Sequence, residues 1–279
     1  QMCIRDSPYT RGPEYSRNYD SIIDEVNSMV NNGAREIVLL GQNVNAYQFK
    51  NGNKIYRLSD LIDKLTTIKD LKRIRYTTSH PINMDDELID LHSNNKKLMP
   101  FLHLPVQSGS SKILKMMNRK YDVEFYRDII FKIRDKSPNI EISSDFIIGY
   151  PGESEQDFIN TLDLIDDIKF TQSYSFIYSA RPGTKSAMID DNLSKKVKSE
   201  RLKILQSKLT EIQHDFNKTH VGKKTNVLIE NQSATNPEYY FGRTPYMQSV
   251  YIKSNNLING EEKDIKITSC NHKSLYGTC

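Results

Sequence analysis

From Tyr19 to Ile177 the chain alternates short runs rich in β-branched and aromatic residues with longer stretches whose apolar residues recur at helical spacing. That alternation leaves few folds open, chiefly parallel strands that are each followed by a helix packed back over the sheet. Strands are expected at Glu36 to Leu40, Arg73 to Thr78, Phe101 to Val106, Ile140 to Ile148 and Gln172 to Tyr178. Leu58, Leu61, Ile62 and Leu65 mark one amphipathic helix, Leu88, Ile89 and His92 a second, and Phe158, Leu162, Ile165 and Ile168 a third. Another helix, from about Tyr19 to Asn32, precedes the first of these strands. An earlier strand ahead of residue 1 would complete the unit, so the expectation is an α/β fold with a partial barrel lacking its first strand.

The pattern changes twice further on. After Arg181-Pro182-Gly183-Thr184 comes a basic helix in which Leu202, Leu205, Leu209, Ile212 and Phe216 recur at steps of three and four, a stripe expected to pack on the barrel. From Thr219 the period becomes two, as in Thr225, Val227 and Ile229 and again in Ile265 and Ile267, with turns at Asn236-Pro237 and Asn259-Gly260. A small all-β barrel is expected there. The net charge of +4 is unevenly spread: through Thr184 the chain has 24 basic and 25 acidic residues, and after it 15 and 10. The halves therefore carry −1 and +5, and an excess at one end suits an appendage that binds a polyanion. No apolar run reaches the roughly 18 residues of a membrane span, and three scattered cysteines, Cys3, Cys270 and Cys279, form neither a disulfide framework nor a metal-binding spacing. A cytoplasmic protein without membrane contact is the reading.

Chemistry in such folds gathers at the turns that end the strands. Those turns are Gly41-Gln42-Asn43, Ser79-His80-Pro81, Gln107-Ser108-Gly109 and Tyr150-Pro151-Gly152-Glu153. None continues into Gly-Lys-Ser/Thr, which argues against a phosphate-binding loop of the nucleotide hydrolases. Ser108, His80 or His103, and Asp145 could meet at strand ends as a hydrolytic triad, but no Gly-x-Ser-x-Gly elbow accompanies them. His103, in an apolar strand, reads equally as a hydrogen-bonded barrel-lining residue. Ser154 with Asp157 forms a capping box for the helix that follows. Gly149 and Gly152 are turn residues that would also let a ligand approach exposed backbone.

Taken together, several segments resemble the radical S-adenosylmethionine tRNA methylthiotransferases. They are Pro8-Tyr9-Thr10-Arg11-Gly12 with Glu14, Leu40-Gly41-Gln42-Asn43-Val44-Asn45-Ala46-Tyr47, Thr78-Ser79-His80-Pro81 and His103-Leu104-Pro105-Val106-Gln107-Ser108-Gly109-Ser110. Met117-Asn118-Arg119, the turn after Asp145 and Tyr178-Ser179-Ala180-Arg181-Pro182-Gly183-Thr184 continue the series, and the end of the chain resembles the TRAM domain, an RNA-binding β-barrel. The resemblance implies a radical SAM core over residues 8–218 and a TRAM domain over 219–279. It implies methylthiolation of N6-isopentenyladenosine beside the anticodon, with S-adenosylmethionine and 4Fe-4S clusters as cofactors. The implied partners of a monomeric enzyme are a tRNA anticodon stem-loop, a reductant and a sulfur donor. A non-catalytic RNA-binding module, or an α/β-barrel hydrolase, is the alternative.

Residue by residue, Gly41, Gln42 and Asn43 match a loop facing the methionine end of the cofactor, although Gln42 and Asn43 could instead cap a helix. Gln107 and Ser108 match a polar turn near the same ligand, while Asp145, Ile148 and Gly149 match the strand bordering its adenosine. Arg181 matches an arginine at the barrel mouth. In the β-domain, Tyr239, Tyr240 and Phe241 beside Arg243 are the stacking candidates, with Tyr240 and Arg243 assigned to substrate. The chain departs from the family at its start. The Cys-x3-Cys-x2-Cys of the radical cluster would fall at position 5, at position 2 and before residue 1, yet Arg5 and Met2 stand there and Cys3 is out of register. Residues 1–7 therefore read as a leader foreign to the family, and a chain unable to hold that cluster is expected to be inactive.

Overall fold

The computed structural model describes residues 15–279 except 182, 184, 192, 234 and 235. Helix α1, Tyr19–Asn31, is capped by the Asn18 side chain, which accepts from the Ser21 amide. It leads into strand β1, Glu36–Leu39. A hairpin of β2, Gln48–Asn51, and β3, Lys54–Arg57, then interrupts the alternation before helix α2, Leu58–Thr66. The repeat resumes with β4, Arg73–Tyr76; α3, Asp86–Asn94; β5, Phe101–His103; and α4, Ser111–Met116. Helix α5, Val123–Lys136, precedes β6, Glu141–Ser143, and β7, Asp145–Ile148, which are two halves of one strand broken at Ser144. Helix α6, Glu155–Ile168, β8, Tyr174–Ile177, and the long α7, Lys195–Lys218, close the first part.

All strand pairs between successive repeats are parallel. β1 pairs with β4, β5 with β6 and β7 with β8, while single bridges at Ile74–Leu98 and Gln107–Phe146 join these pairs. Among the described residues β1 and β8 are the edges of this curved sheet. Ile37, Ile74, Tyr76, Leu102, Leu104, Phe146 and Ile148 point outward into the core beneath the helices. Alternation therefore turns Val38, Arg73, Arg75, His103 and Asp145 to the inner face. Register puts Tyr174 beside Asp145 and Phe176 beside Ile147 on that same face. Leu205 and Leu209 of α7 join the outer core, with Leu202 and Ile212 packed against it, as the sequence stripe implies.

The second part is a closed barrel of β9, Lys224–Gln232; β10, Tyr239–Arg243; β11, Ser249–Lys253; β12, Glu262–Cys270; and β13, Ser274–Thr278, in the order β10-β11-β13-β12-β9. Val227, Ile229, Val250, Ile252, Ile265, Ile267 and Leu275 fill it. Closure brings strands so near at one point that a Cβ on Gly242 would lie 2.4 Å from the Leu228 carbonyl oxygen. Only glycine fits there.

This barrel seats on the sheet end from which the parallel strands start. Arg73, the first residue of β4 and fully buried, donates to Glu262 Oε1 at 2.8 Å, the Arg243 carbonyl at 2.7 Å and Asn226 Oδ1 at 2.7 Å. Arg75 donates to the carbonyls of Pro245 and Thr244, at 2.8 and 3.0 Å, and pairs with Glu36 at 3.1 Å. Gln172 reaches the Tyr246 carbonyl, and Asn217 of α7 the Asn271 carbonyl. The C-terminal barrel thus stoppers one end of the sheet's interior, leaving the strand-end loops free at the other.

One ionisable group at that stoppered end responds to pH. Burial raises the Glu141 carboxyl to about 7, against the pull of Arg134. A raised carboxyl binds its proton more tightly folded than unfolded, so its contribution is fully present below about pH 4.5 and is lost as pH rises through 7. At about 1.4 kcal/mol per unit, the loss has an upper bound of about 3 kcal/mol. Glu141→Gln should therefore match the parent chain in thermal denaturation near pH 4.5 and exceed its melting temperature at pH 8. Equal melting temperatures at both values would rule out this titration.

Candidate active site

The loop after β1 emerges with Leu40, Gly41 and Gln42 exposed and Asn43 half-buried. Asn43 does precede a short 3-10 turn, but its side chain makes no capping bond; its amide donates to Asn83 Oδ1 at 2.9 Å instead. The Val44 amide donates to the Thr78 carbonyl at 3.1 Å, and Asn45 exchanges two hydrogen bonds with the His80 backbone, at 2.9 and 2.8 Å. The loops after β1 and β4 are thereby one unit. Two buried polar atoms on it, Asn43 Oδ1 and Ser79 Oγ, have no hydrogen-bond partner. Orphans of this kind are costly unless a ligand satisfies them, and they are suited to the charged, hydrogen-bonding end of a small molecule.

The turns after β5 and β7 form a second unit. Gln107 adopts φ +80° while its backbone pairs with Asp145 and Ile147, and Ser108 is buried. Gly109 donates to Thr161 Oγ1 at 3.0 Å, and a Cβ on it would lie 2.5 Å from the α6 backbone. Ser110 donates to Asp157 Oδ1 at 2.6 Å, with Lys112 on the other oxygen at 2.8 Å. Burial opposes ionisation of Asp157, but hydrogen bonds from Lys112, Ser110 and Ser154 hold it well below the usual carboxylate range. The Ser154–Asp157 capping box read from the sequence is present in both directions.

Gly149, at φ +71°, ends β7. Its amide donates to Glu153 Oε2 at 3.0 Å, and the same oxygen receives Arg201 Nη1 at 2.7 Å, while Arg201 Nη2 holds Glu155 at 2.7 Å. Burial pushes the Glu153 carboxyl up against the pull of Arg201. Lys198, one turn earlier on α7 and paired with Asp191, lies across the glycine: a Cβ there would meet its Cγ at 2.6 Å. What demands glycine here is thus the positive φ and the lysine stem, rather than free space kept for a ligand. Ile148 is likewise turned into the outer core, so its backbone alone borders the interior.

Inside the sheet, Asp145 Oδ2 lies 3.7 Å from His103 Nε2, and His103 Nδ1 meets Ser143 Oγ at 3.0 Å. Ser108 is not with them: its hydroxyl accepts from the Ser110 amide at 3.2 Å. The hydrolytic triad is not assembled. Arg181 is exposed beyond β8. In the C-terminal barrel Arg243 pairs with Glu230 at 2.8 Å and lies 5.4 Å from the Phe241 ring centre. Tyr240, assigned to substrate from sequence, is corrected by the strand alternation: its ring is buried in the barrel core. Tyr239 and Phe241 alternate to the outside, and Phe241 is set against Tyr251, which stacks on Tyr276 at 5.7 Å. Sequence spacing alone did not reveal that trio, because its members meet only through the β10-β11-β13 register.

Among the described residues no group of three or more His, Cys, Asp or Glu could hold a metal. Cys270 and Cys279 both lie in the C-terminal barrel region. Met2, Cys3, Arg5, the Pro8 to Gly12 segment, Glu14, Pro182 and Thr184 lie outside the described residues. No helix among those described is long and apolar enough to cross a membrane.

Comparison with known proteins bears on this arrangement. Residues 1–165 match the Radical SAM superfamily and residues 218–279 the TRAM domain. The tRNA-2-methylthio-N(6)-dimethylallyladenosine synthase of Rickettsia canadensis (strain McKiel) is 53% identical over 272 residues, 97% of this chain, and that of Rickettsia felis (strain ATCC VR-1525 / URRWXCal2) is 52% identical over the same span. The chain spans 61% of the length of each. Among solved structures, coproporphyrinogen III oxidase (HemN) from Escherichia coli, described as a radical SAM enzyme, superposes with a TM-score of 0.51 at 13% identity, over 86% of this chain and 61% of that one. The likeness extends the agreement to the fold. With parallel strands opening onto tied loops at one end and a closed five-stranded barrel at the other, the chain belongs to the radical SAM superfamily and carries a C-terminal TRAM domain.

Proposed function

We propose that this chain is the core and RNA-binding part of a tRNA methylthiotransferase acting at C2 of an N6-dimethylallyladenosine. The observation that carries this reading is the 51 to 53% identity, across 97% of the chain, to synthases of that name. The target C–H bond is too weakly acidic for a positioned side-chain base, so the chemistry belongs to a cofactor. S-adenosylmethionine would supply the hydrogen-abstracting group and the methyl group.

The residues present suit S-adenosylmethionine. The unsatisfied Asn43 Oδ1 and Ser79 Oγ offer acceptor and donor capacity beside the exposed Gly41-Gln42 backbone, where the ligand's amino-acid end would be held. Gln107 and Ser108, fixed on α6 through Gly109 and Ser110, would border it from the next turn. Asp145 and the backbone at Ile148 and Gly149 would border the adenosine. The described residues do not suit a 4Fe-4S cluster, since they offer no group of cysteines that could hold one. Arg181, exposed beyond the last strand, is proposed to meet phosphate or carboxylate at the mouth. A tRNA anticodon stem-loop is the proposed macromolecular partner, with a reductant and a sulfur donor from elsewhere in a cytoplasmic setting, and the enzyme acting as a monomer.

Equilibrium dialysis with labelled S-adenosylmethionine tests the pocket. Asn43→Ala should weaken binding about tenfold, equivalent to about 1.4 kcal/mol, with an unchanged circular dichroism melt. Parental affinity in that variant would place the cofactor elsewhere.

A further inference from the structure

Where α7 passes into the TRAM barrel, Thr219, His220, Lys223, Lys224, Asn226 and Tyr246 are among the residues lining a cleft of about 290 Å³. That is at the small end of ligand pockets, about 300 Å³, and is room for one nucleotide. No carboxylate lines it. Among the described residues neither lysine is in ion-pair contact with an acid; the nearby Asp215 is taken by Lys218 at 3.0 Å, and Glu262 by Arg73.

A second observation points the same way. The β9–β12 register sets Lys224 directly opposite Lys266, while Asp264, the next carboxylate on that face, falls opposite Asn226. Like charges facing each other across an antiparallel pair destabilise it, and a bound anion would relieve that cost. The end of α7 opposes an anion with about half a negative charge. Its last carbonyls are already occupied, however: Phe216 O accepts from Thr219, Asn217 O from His220 and Lys218 O from Val221. The two cleft lysines, with Lys266 opposite Lys224 on the next strand, outweigh that residual field. The cleft also has an aromatic wall, since Phe216, His220 and Tyr246 meet edge to face with centroids 5.0, 5.6 and 5.9 Å apart. Burial lowers the His220 pKa against the pull of its hydrogen bond to the Phe216 carbonyl, and the Lys223 charge beside it acts in the same direction as burial.

We propose that this seam is a nucleotide-binding site, holding a phosphate between Lys223 and Lys224 with its sugar and base against His220 and Tyr246. The inference rests on RNA being the partner and adds a second point of grip beyond the barrel mouth. The phosphate could belong to a polynucleotide or to a free mononucleotide.

Fluorescence anisotropy of a labelled anticodon stem-loop with the full chain, measured across 50 to 200 mM salt, tests it. The Lys223→Gln/Lys224→Gln pair should weaken binding about tenfold at the lower salt and make the log–log salt slope shallower by roughly one to two, at about 0.7 to 0.9 for each phosphate no longer neutralised. Lys253→Gln, on a different strand, should change the slope by less than half as much. Displacement of the RNA by millimolar AMP would identify a mononucleotide site; loss of RNA affinity in the lysine pair without AMP displacement would identify a polynucleotide one. Parent-like affinity and slope in the lysine pair, or an equal change from Lys253→Gln, would overturn the site while leaving RNA binding standing. If the unaltered chain binds neither the stem-loop nor AMP at low salt, the RNA reading and this site fall together.

Discussion

Incubated anaerobically with iron and sulfide, the 279-residue chain should stay colourless and form no 5′-deoxyadenosine when S-adenosylmethionine and a strong reductant are added. The family resemblance puts cluster cysteines at positions 2 and 5, where the chain has Met2 and Arg5. A thioether binds iron weakly and a guanidinium stays protonated, so neither replaces a thiolate. Cys3 supplies one thiol where three are needed. Rescue by the other cysteines is opposed by the fold. Cys270 lies on β12 and Cys279 follows β13, in a barrel held to the starting ends of the parallel strands by Arg73 and Arg75, whereas the candidate cofactor loops leave from the opposite ends. Burial also pushes the Cys270 thiol up, away from the thiolate a cluster requires. A chain whose first residues supply all three cysteines in register should turn brown and cleave S-adenosylmethionine; methylthio transfer should further require a sulfur donor. A stoichiometric cluster on the unaltered chain would sink the proposal.

The sequence made the parallel strands legible because each is a short apolar run closed by a polar turn. All five expected strands are present to within three residues at either end, with Ile140 to Ile148 split at Ser144. Helix α5 went unread although Tyr126, Ile130 and Ile133 form a buried stripe on it, as did the β2–β3 hairpin, whose residues are mostly exposed and leave no apolar periodicity. At the candidate site, the sequence identified the loops but not what holds them. Lys198 and Arg201 look like solvent-facing charges on a basic helix, yet they clamp the Gly149 turn from 49 and 52 residues away in the chain. Arg73 and Arg75 look like the polar positions of a half-exposed strand and are instead pegs into the second barrel. Long charged side chains whose partners are distant in sequence carry no local signal, and neither does an aromatic trio assembled by strand register.

Those pegs carry the second large effect. Arg73→Met keeps the volume and removes the charge, leaving Glu262, the Arg243 carbonyl and Asn226 Oδ1 without their donor. Breaking a buried pair from one side costs about 3 to 5 kcal/mol; Glu262 retains partial access to water, so a loss of about 3 kcal/mol is expected from urea denaturation. Because the guanidinium joins two separately packed cores, the loss should fall on their coupling. The parent chain should unfold in one transition, and Arg73→Met should show either a lower m-value or two resolved steps. Glu262→Gln alone should cost less, since the arginine keeps two of its three acceptors. The double variant should cost less than the sum of the singles, the mark of direct contact. Additive losses, or a variant within about 0.5 kcal/mol of the parent with an unchanged m-value, would mean that the TRAM barrel is held by its other contacts and that the buried arginine is replaceable.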